Sequence, residues 1–272
     1  MYNMSPTTAV AVGQFAPGSD QVENLRQMAS LAAEAVDRGA ALVVFPEYSS
    51  FFEMQLGPAS VAAAEALDGP FVTAVGELAR QLGIHIVAGM LESGRAENRA
   101  SNTLVAVAPS GDIVAVYRKL HLYDAFGQLE SEHIIAGEIE PPQTFVLDGL
   151  TVGMQTCYDI RFPEVTRRLA DAGADVVLVP AEWVRGPLKE YHWRTLLIAR
   201  AIENTVYVLA ADHAPPIGVG NSMIVDPRGV ELATIGETTD VAVAWLDPER
   251  LASVRETNPA LALRRFGVAP TG

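Results

Sequence analysis

Three side chains in this sequence could together perform acyl transfer: Glu47 after the apolar run "LVVFP", Lys119 after "IVAVYR" and Cys157 after "LTVGMQT". A thiolate attacks a carbonyl carbon, a carboxylate takes the thiol proton and returns it to a departing amine, and an ammonium stabilises the developing oxyanion. Each residue follows a run that reads as a strand. In layered α/β proteins strand ends are where sites are assembled, so groups distant in sequence can converge there. Taken singly, plainer readings hold as well. Cys157 is the only cysteine and reads equally as a small buried hydrophobe. Glu47 reads as a loop carboxylate, and Lys119 as half of a basic surface patch.

The elements that must position these groups alternate along the chain in the rhythm of a layered α/β protein. Strand "TAVAVGQF" precedes a helix over Gln21 to Arg38, in which Leu25, Met28, Ala32 and Val36 share a face and Gly39 is the stop. Strand "ALVVFPE" leads to a second helix over Pro70 to Gln81. Then "IHIVAGM", "NTLVAVA" and "DIVAVYR" read as successive strands, the last two joined at Pro109-Ser110-Gly111. A strand-poor stretch from Lys119 to Pro142 is long for a loop inside a compact domain and reads as functional. Strand "LTVGMQT" follows, then a helix opening at Pro163 and stopping at Gly173, strand "DVVLVP" and a helix from about Leu188 to Glu203. Late strands are "TVYVLAA", "NSMIVDPRGVELATI" and "VAVAWL". With no repeat, low-complexity segment or linker, residues 1–272 read as one domain. The tail from about residue 255 is expected to pack on the body or on a partner subunit.

Composition narrows the function classes. A chain of 272 residues, 49% hydrophobic, can bury one large core. Its 33 acidic residues against 19 Lys and Arg give a net charge of −14, which speaks against nucleic acid as a partner. One cysteine forms no internal disulfide, no leader-like segment opens the chain, and no apolar run reaches transmembrane length. A cytoplasmic protein with no membrane partner is therefore expected. No metal-ligand spacing, phosphate loop or dinucleotide fingerprint is present, so no metal and no cofactor is expected. None of the five histidines stands in a recognisable Cys-His hydrolase context; His121 reads as structural.

The motifs "VVFPEYS", "YRKLHLYDAFG" and "TCYDIRFPE", in that order and spacing, resemble the three motif regions of the nitrilase superfamily of carbon-nitrogen hydrolases. The resemblance continues through "PAEWVRGP", "WRTLLIARAIENTVYVLAA" and "NSMIVDPRG", so it covers essentially the whole chain. It implies an α/β fold, a four-layer αββα sandwich, with a catalytic triad of Glu47, Lys119 and Cys157. "LESEHIIAG" resembles the segment carrying a further catalytic glutamate, which matches Glu130, with Glu132 the alternative. It also implies a homodimer or higher assembly, packed through Pro163 to Ala172 and the tail around Leu263 to Phe266.

Tyr158-Asp159 after the cysteine resembles the amidase branches that include omega-amidase and deaminated glutathione amidase, whereas true nitrilases more often carry Trp-Glu. Hydrolysis of a small amide to acid and ammonia through a thioester is therefore expected. Nitrile hydrolysis and N-carbamoyl amine hydrolysis are the alternatives within the enzyme class; a catalytically silent binding scaffold is the alternative outside it. The backbone N–H of Tyr158 would join Lys119 as an oxyanion donor. Tyr48, Phe51, Phe126, Tyr158 and Trp183 would form the pocket wall. Asp159, Arg161 and Glu164 read as a charge network around the cysteine. Glu182 stands where these branches more usually have a small or neutral residue, which points to a substrate amine or hydroxyl.

Overall fold

Consecutive strand residues point to opposite faces of a sheet, so the burial of both faces decides how many layers a chain needs. In the computed structural model, which describes residues 7–271, the chain opens with β1 (Thr8–Gln14), α1 (Gln21–Asp37), β2 (Leu42–Val44), α2 (Pro58–Ala62) and α3 (Pro70–Leu82). β3 (His85–Ala96), β4 (Arg99–Val107), β5 (Ile113–Arg118) and β6 (Ile134–Ile135) follow. The second half runs β7 (Thr144–Leu147), β8 (Leu150–Met154), α4 (Pro163–Asp171), β9 (Val176–Pro180), α5 (Lys189–Asn204) and β10 (Tyr207–Ala211). It closes with β11 (Met223–Val225), β12 (Glu231–Thr234), β13 (Asp240–Leu246) and α6 (Pro248–Thr257).

One sheet has the order β13-β1-β2-β3-β4-β5, with β6 beside β4; the other has the order β12-β11-β10-β9-β8-β7. β1, β2 and β3 pair in parallel, as do β8, β9 and β10; the outer strands add antiparallel, except the short β6, which is parallel to β4. Val10, Val12, Leu42 and Val44 of the first sheet meet Met154, Val176, Leu178 and Leu209 of the second in the central core. Their neighbours Ala11, Val43 and Ile86 face outward against Met28, Ala32, Phe71 and Val75 of α1 and α3. Val177, Val179 and Val208 likewise pack against Leu169, Trp193 and Leu197 of α4 and α5. The result is the four-layer αββα sandwich, and its strands are apolar on both faces because each sheet is covered twice.

Local signals place most boundaries. The Asp20 side chain accepts from the N–H groups of Val22 and Glu23 to start α1, and Gly39, at φ +89°, ends it. α4 starts at Pro163 and stops ahead of Gly173, at φ +90°. Four elements escape the sequence pattern, two of them the short α2 and β6. β7 buries only Phe145 and Leu147, and α6 only Leu251 and Val254, so neither carries a long periodic signal. Asp247, accepting from Glu249 N–H, with Pro248 in the first turn was the available cue for α6.

The stretch 119–142 contains only a 3-10 turn at Glu130–Glu132 and β6. In the tail Arg264 pairs with Asp171 of α4, while Leu263 and Phe266 are 71% and 91% exposed. The first six residues, part of the segment read as lacking a leader, lie outside the described residues. Among the described residues no helix is long and apolar enough to cross a membrane.

Candidate active site

Glu47 reaches the site because the chain leaving β2 lies directly on β3. Gly89 N–H donates to the Pro46 carbonyl at 3.1 Å, and Ser50 N–H donates to the Gly89 carbonyl at 3.1 Å. A Cβ on Gly89 would stand 2.6 Å from both Glu47 Cα and Tyr48 N, so only glycine allows this approach. The following Tyr48 turns the chain at φ +56°. The buried Glu47 carboxylate is then held from three sides. Asn102 Nδ2 and Lys119 Nζ donate to Oε1 at 2.5 and 2.9 Å, and the backbone N–H of Glu182 donates to Oε2 at 2.7 Å. His213 Nε2 donates to the Glu47 carbonyl at 2.7 Å.

Lys119 follows β5, and its N–H donates to the carbonyl of Asn102 on the adjacent β4 at 2.9 Å, so sheet pairing sets its position against Asn102. Its ammonium lies between two carboxylates, 2.9 Å from Glu47 and 2.9 Å from Glu130 Oε2. Glu130 Oε1 also accepts from Tyr48 OH at 2.6 Å and from Asn102 Nδ2 at 3.0 Å, while Oε2 accepts from Tyr123 N–H at 2.6 Å. Of the two candidate glutamates, the structure brings Glu130 to Lys119; Glu132 stands exposed at the mouth.

Cys157 stands three residues past β8 on a short 3-10 turn, Cys157–Arg161, with φ +47°, a conformation that costs a non-glycine residue energy and that the surroundings must hold. Thr156 Oγ1 donates to the Pro180 carbonyl at 2.8 Å, and Gln155 N–H to the Leu178 carbonyl at 3.1 Å, fixing the turn to β9. Asp159 ties it to the other sheet: it accepts from Tyr117 OH at 2.6 Å and from His121 N–H at 3.0 Å, the residues flanking Lys119. His121 Nδ1 lies 2.8 Å from the same carboxylate, and its ring stacks on Phe162. The expected network of Asp159, Arg161 and Glu164 is thus corrected. Asp159 bridges the sheets, Glu164 is exposed, and Arg161 has no carboxylate partner among the described residues.

The electrostatics divide the site into two ends. Burial pushes the Cys157 thiol well above its usual range, the neighbouring Glu47 carboxylate adds to this, and Lys119 offsets only part. A thiol held neutral needs a base before it can attack, and Glu47 is the carboxylate beside it. Burial opposes the charge on Lys119, but Glu130 and Glu47 outweigh it and raise its pKa. Burial likewise opposes charge on Glu130, and Lys119 with the Tyr48, Asn102 and Tyr123 hydrogen bonds brings its carboxyl below the usual range. At the other end, Arg161 packs over Trp183 at 4.8 Å, and Lys189 Nζ bonds Tyr123 OH at 2.6 Å and lies 4.2 Å from the Phe126 ring.

A cavity of about 540 Å³ opens over these groups. Glu47, Lys119, Glu130, Cys157, Tyr48, Tyr158, Glu182 and Trp183 all line it. Two expected wall residues do not. Phe51 is buried in an apolar cluster with Leu91 and Ile134, leaving Phe52 as the lining ring. Phe126 is 69% exposed at the rim, turned outward by φ +55° and covering the two cations. Tyr48 lines the cavity, but its hydroxyl is engaged by Glu130. Asn102, Lys189 and His213 were not read from the sequence. Asn102 was the one with a signal, a polar amide in a strand otherwise continuing as "TLVAV".

Comparison with known proteins agrees with this geometry. The carbon-nitrogen hydrolase family model matches residues 9–256. The chain is similar to deaminated glutathione amidase of Escherichia coli O157:H7, 42% identical over 260 residues that cover 94% of this chain and 97% of that one. Among solved structures it is similar to the C. elegans NitFhit protein (TM-score 0.88, 30% identity, 96% of this chain and 66% of that one). It is also similar to a variant of an amidase from Nesterenkonia sp. AN1 that carries the acetamide moiety of fluoroacetamide on its active-site cysteine (TM-score 0.79, 26% identity, 97% of this chain and 95% of that one). With motif order, fold and site architecture in agreement, the chain belongs to the carbon-nitrogen hydrolase family.

Proposed function

We propose that this chain hydrolyses the C–N bond of a small amide through a Cys157 thioester, with Glu47 as base and acid, Lys119 as oxyanion donor and Glu130 as the residue that positions Lys119. The observation carrying this reading is the convergence of a buried thiol, a carboxylate and a charged lysine on one cavity. Glu47 takes the thiol proton as sulfur bonds to the carbonyl carbon, and the carbonyl electron pair moves to oxygen, facing Lys119 Nζ and the Tyr158 N–H. As the pair returns, the C–N bond breaks, and Glu47 gives its proton to the leaving nitrogen, releasing ammonia. Water then attacks the thioester with Glu47 taking its proton. The C–S bond breaks, the thiolate recovers the proton, and the acid departs.

The backbone of Glu182 supports this assignment. Its N–H holds Glu47 at 2.7 Å, and its carbonyl accepts from the Cys157 thiol at 3.5 Å, so one peptide unit orients both base and nucleophile. The acid end of the substrate has its own support. Arg161 Nε and Nη2 are buried without partners, and Lys189 pairs with no carboxylate among the described residues, although the chain is strongly acidic. Two cations kept free beside a nucleophile suit an amide whose acyl chain carries a carboxylate. The relatives named deaminated glutathione amidase are in accord with an amide substrate.

The test is intact-protein mass spectrometry of the wild type and Glu47→Gln after exposure to small amides and the matching nitriles, with ammonia release followed in parallel. An acyl adduct on Cys157 from amides is expected; turnover of nitriles alone would overturn the amidase assignment. The exposed Leu263 and Phe266 also support a second copy of the chain as the surface that covers the tail. A dimer mass by light scattering is expected, and a monomer at micromolar concentration would refute this.

A further inference from the structure

Glu182 contributes more than its backbone. Its side chain lines the cavity next to the nucleophile, yet its Oε1 is buried and has no hydrogen-bond partner among the described residues. A buried carboxyl oxygen without a hydrogen-bond partner is costly, so a fold retains one where something other than the protein completes it. Its charged surroundings state which kind of group that is. Glu47, Asp212 and Glu130 act on it within the site, opposed by Lys119 and, from beyond hydrogen-bond reach, by Lys189. Burial first, and then Glu47 and Asp212, push the Glu182 carboxyl well up, toward its protonated form. The same carboxylates that push Glu182 toward that form favour a positive charge placed beside it. Lys189 feels Glu182 at a distance, but neither it nor Arg161 pairs with that carboxyl. Their contacts are the rings of Tyr123, Phe126, Tyr158 and Trp183, and no ion pair joins either to Glu182.

From this geometry we infer that Glu182 is a specificity-determining residue that receives an ammonium group of the substrate's acyl chain, making amino-substituted amides the preferred substrates of the site. On binding, the ammonium donates to Oε1, and Glu182 gives up its proton to solvent and pairs as a carboxylate. With Arg161 and Lys189 packed on the Trp183 ring beside it, the cavity then offers a bipolar acyl chain both partners, its ammonium going to Glu182 and its carboxylate to the two cations. This inference rests on the amidase reading above.

The experiment compares kcat/KM for matched amides in which an amine replaces a methyl group of similar size: alaninamide against isobutyramide, β-alaninamide against butyramide, and 4-aminobutyramide against valeramide. Each pair is run with the wild type, Glu182→Gln and Glu182→Ala. The expected result is a preference of at least tenfold for the amine in one or more pairs with the wild type. That preference falls by at least tenfold in the isosteric Gln variant and reverses in the Ala variant, which leaves an apolar recess. No preference for the amine in any pair, or one that survives in either folded variant, overturns the inference. Acylation of Cys157 by the uncharged amides, read by intact mass in the same wild-type samples, separates the two levels. Adducts without an amine preference sink only the role of Glu182, whereas no adduct from any amide in the series sinks the amidase reading itself.

Discussion

Glu130→Gln tests the positioning of Lys119 with the least steric disturbance, because the replacement is isosteric. Five donor contacts converge on the carboxylate: Tyr48 OH, Asn102 Nδ2 and Lys119 Nζ on Oε1, and Lys119 Nζ and Tyr123 N–H on Oε2. An amide has one acceptor end. With its NH2 toward Tyr123 two contacts become donor against donor, and with the NH2 toward Tyr48 three do. The less disruptive orientation loses two charge-assisted hydrogen bonds, at about 1.5–3 kcal/mol each; the sum brackets the range of about 3–5 kcal/mol for breaking a buried ion pair, which is taken as the cost. At roughly 2 °C per kcal/mol for a chain of this size, Tm should fall by about 6–10 °C. Lys119 also loses one of its two carboxylates, so its ammonium is less firmly aimed at the oxyanion. Removing one such donor costs about 10²–10³ in kcat, while KM should change much less. The assays are a thermal melt and single-turnover acylation of Cys157 by an amide, with Glu132→Gln as the exposed control. Wild-type Tm and acylation rate in Glu130→Gln would refute the reasoning.

Three further outcomes follow from the structure. His213 is buried beside the Glu47 backbone, and burial lowers its pKa to about 4, below the ordinary 6.5. The unfolded chain therefore binds the extra proton first, and stability is lost as pH falls from about 6.5 to 4, by about 3 kcal/mol in total; urea denaturation at several pH values should show this slope in the wild type and its absence in His213→Gln. Gly89→Ala would force a methyl group against the Glu47 and Tyr48 backbone, with an overpacking cost of about 1–3 kcal/mol and a displaced base, so stability and acylation should fall together. Unchanged acylation in a folded Gly89→Ala protein would show that Glu47 is not placed by this contact. Lys189→Met should raise KM for succinamate by roughly tenfold, the equivalent of about 1.4 kcal/mol, and leave KM for butyramide nearly unchanged; equal effects on both would remove Lys189 from carboxylate recognition.

The layered architecture and the positions of the reactive groups along the chain were legible in local pattern. Strand runs apolar on both faces, a capped first helix ending at Gly39, and Pro163 with Gly173 bracketing α4 are local signals that the tertiary structure has no reason to override. The motifs around Glu47, Lys119 and Cys157 were legible for the same reason, since each sits at the end of a strand with a clear apolar pattern. Whatever depends on two distant segments meeting emerged only from the packed fold. Asn102 reads as one more strand residue until β4 is paired with β5 and its amide falls between Glu47 and Glu130. Asp159 reads as the neighbour of Arg161 until the two sheets pack and bring it to Tyr117 and His121. Phe51 and Phe126 carry the same ring chemistry in the sequence, and only backbone direction buries one in an apolar cluster and exposes the other at the rim. Hydrophobic periodicity is a property of short windows, so it fixes elements. Hydrogen-bond partners and burial are properties of the packed whole, so the charge of a thiol, a lysine or the orphaned Glu182 is settled only when the layers close.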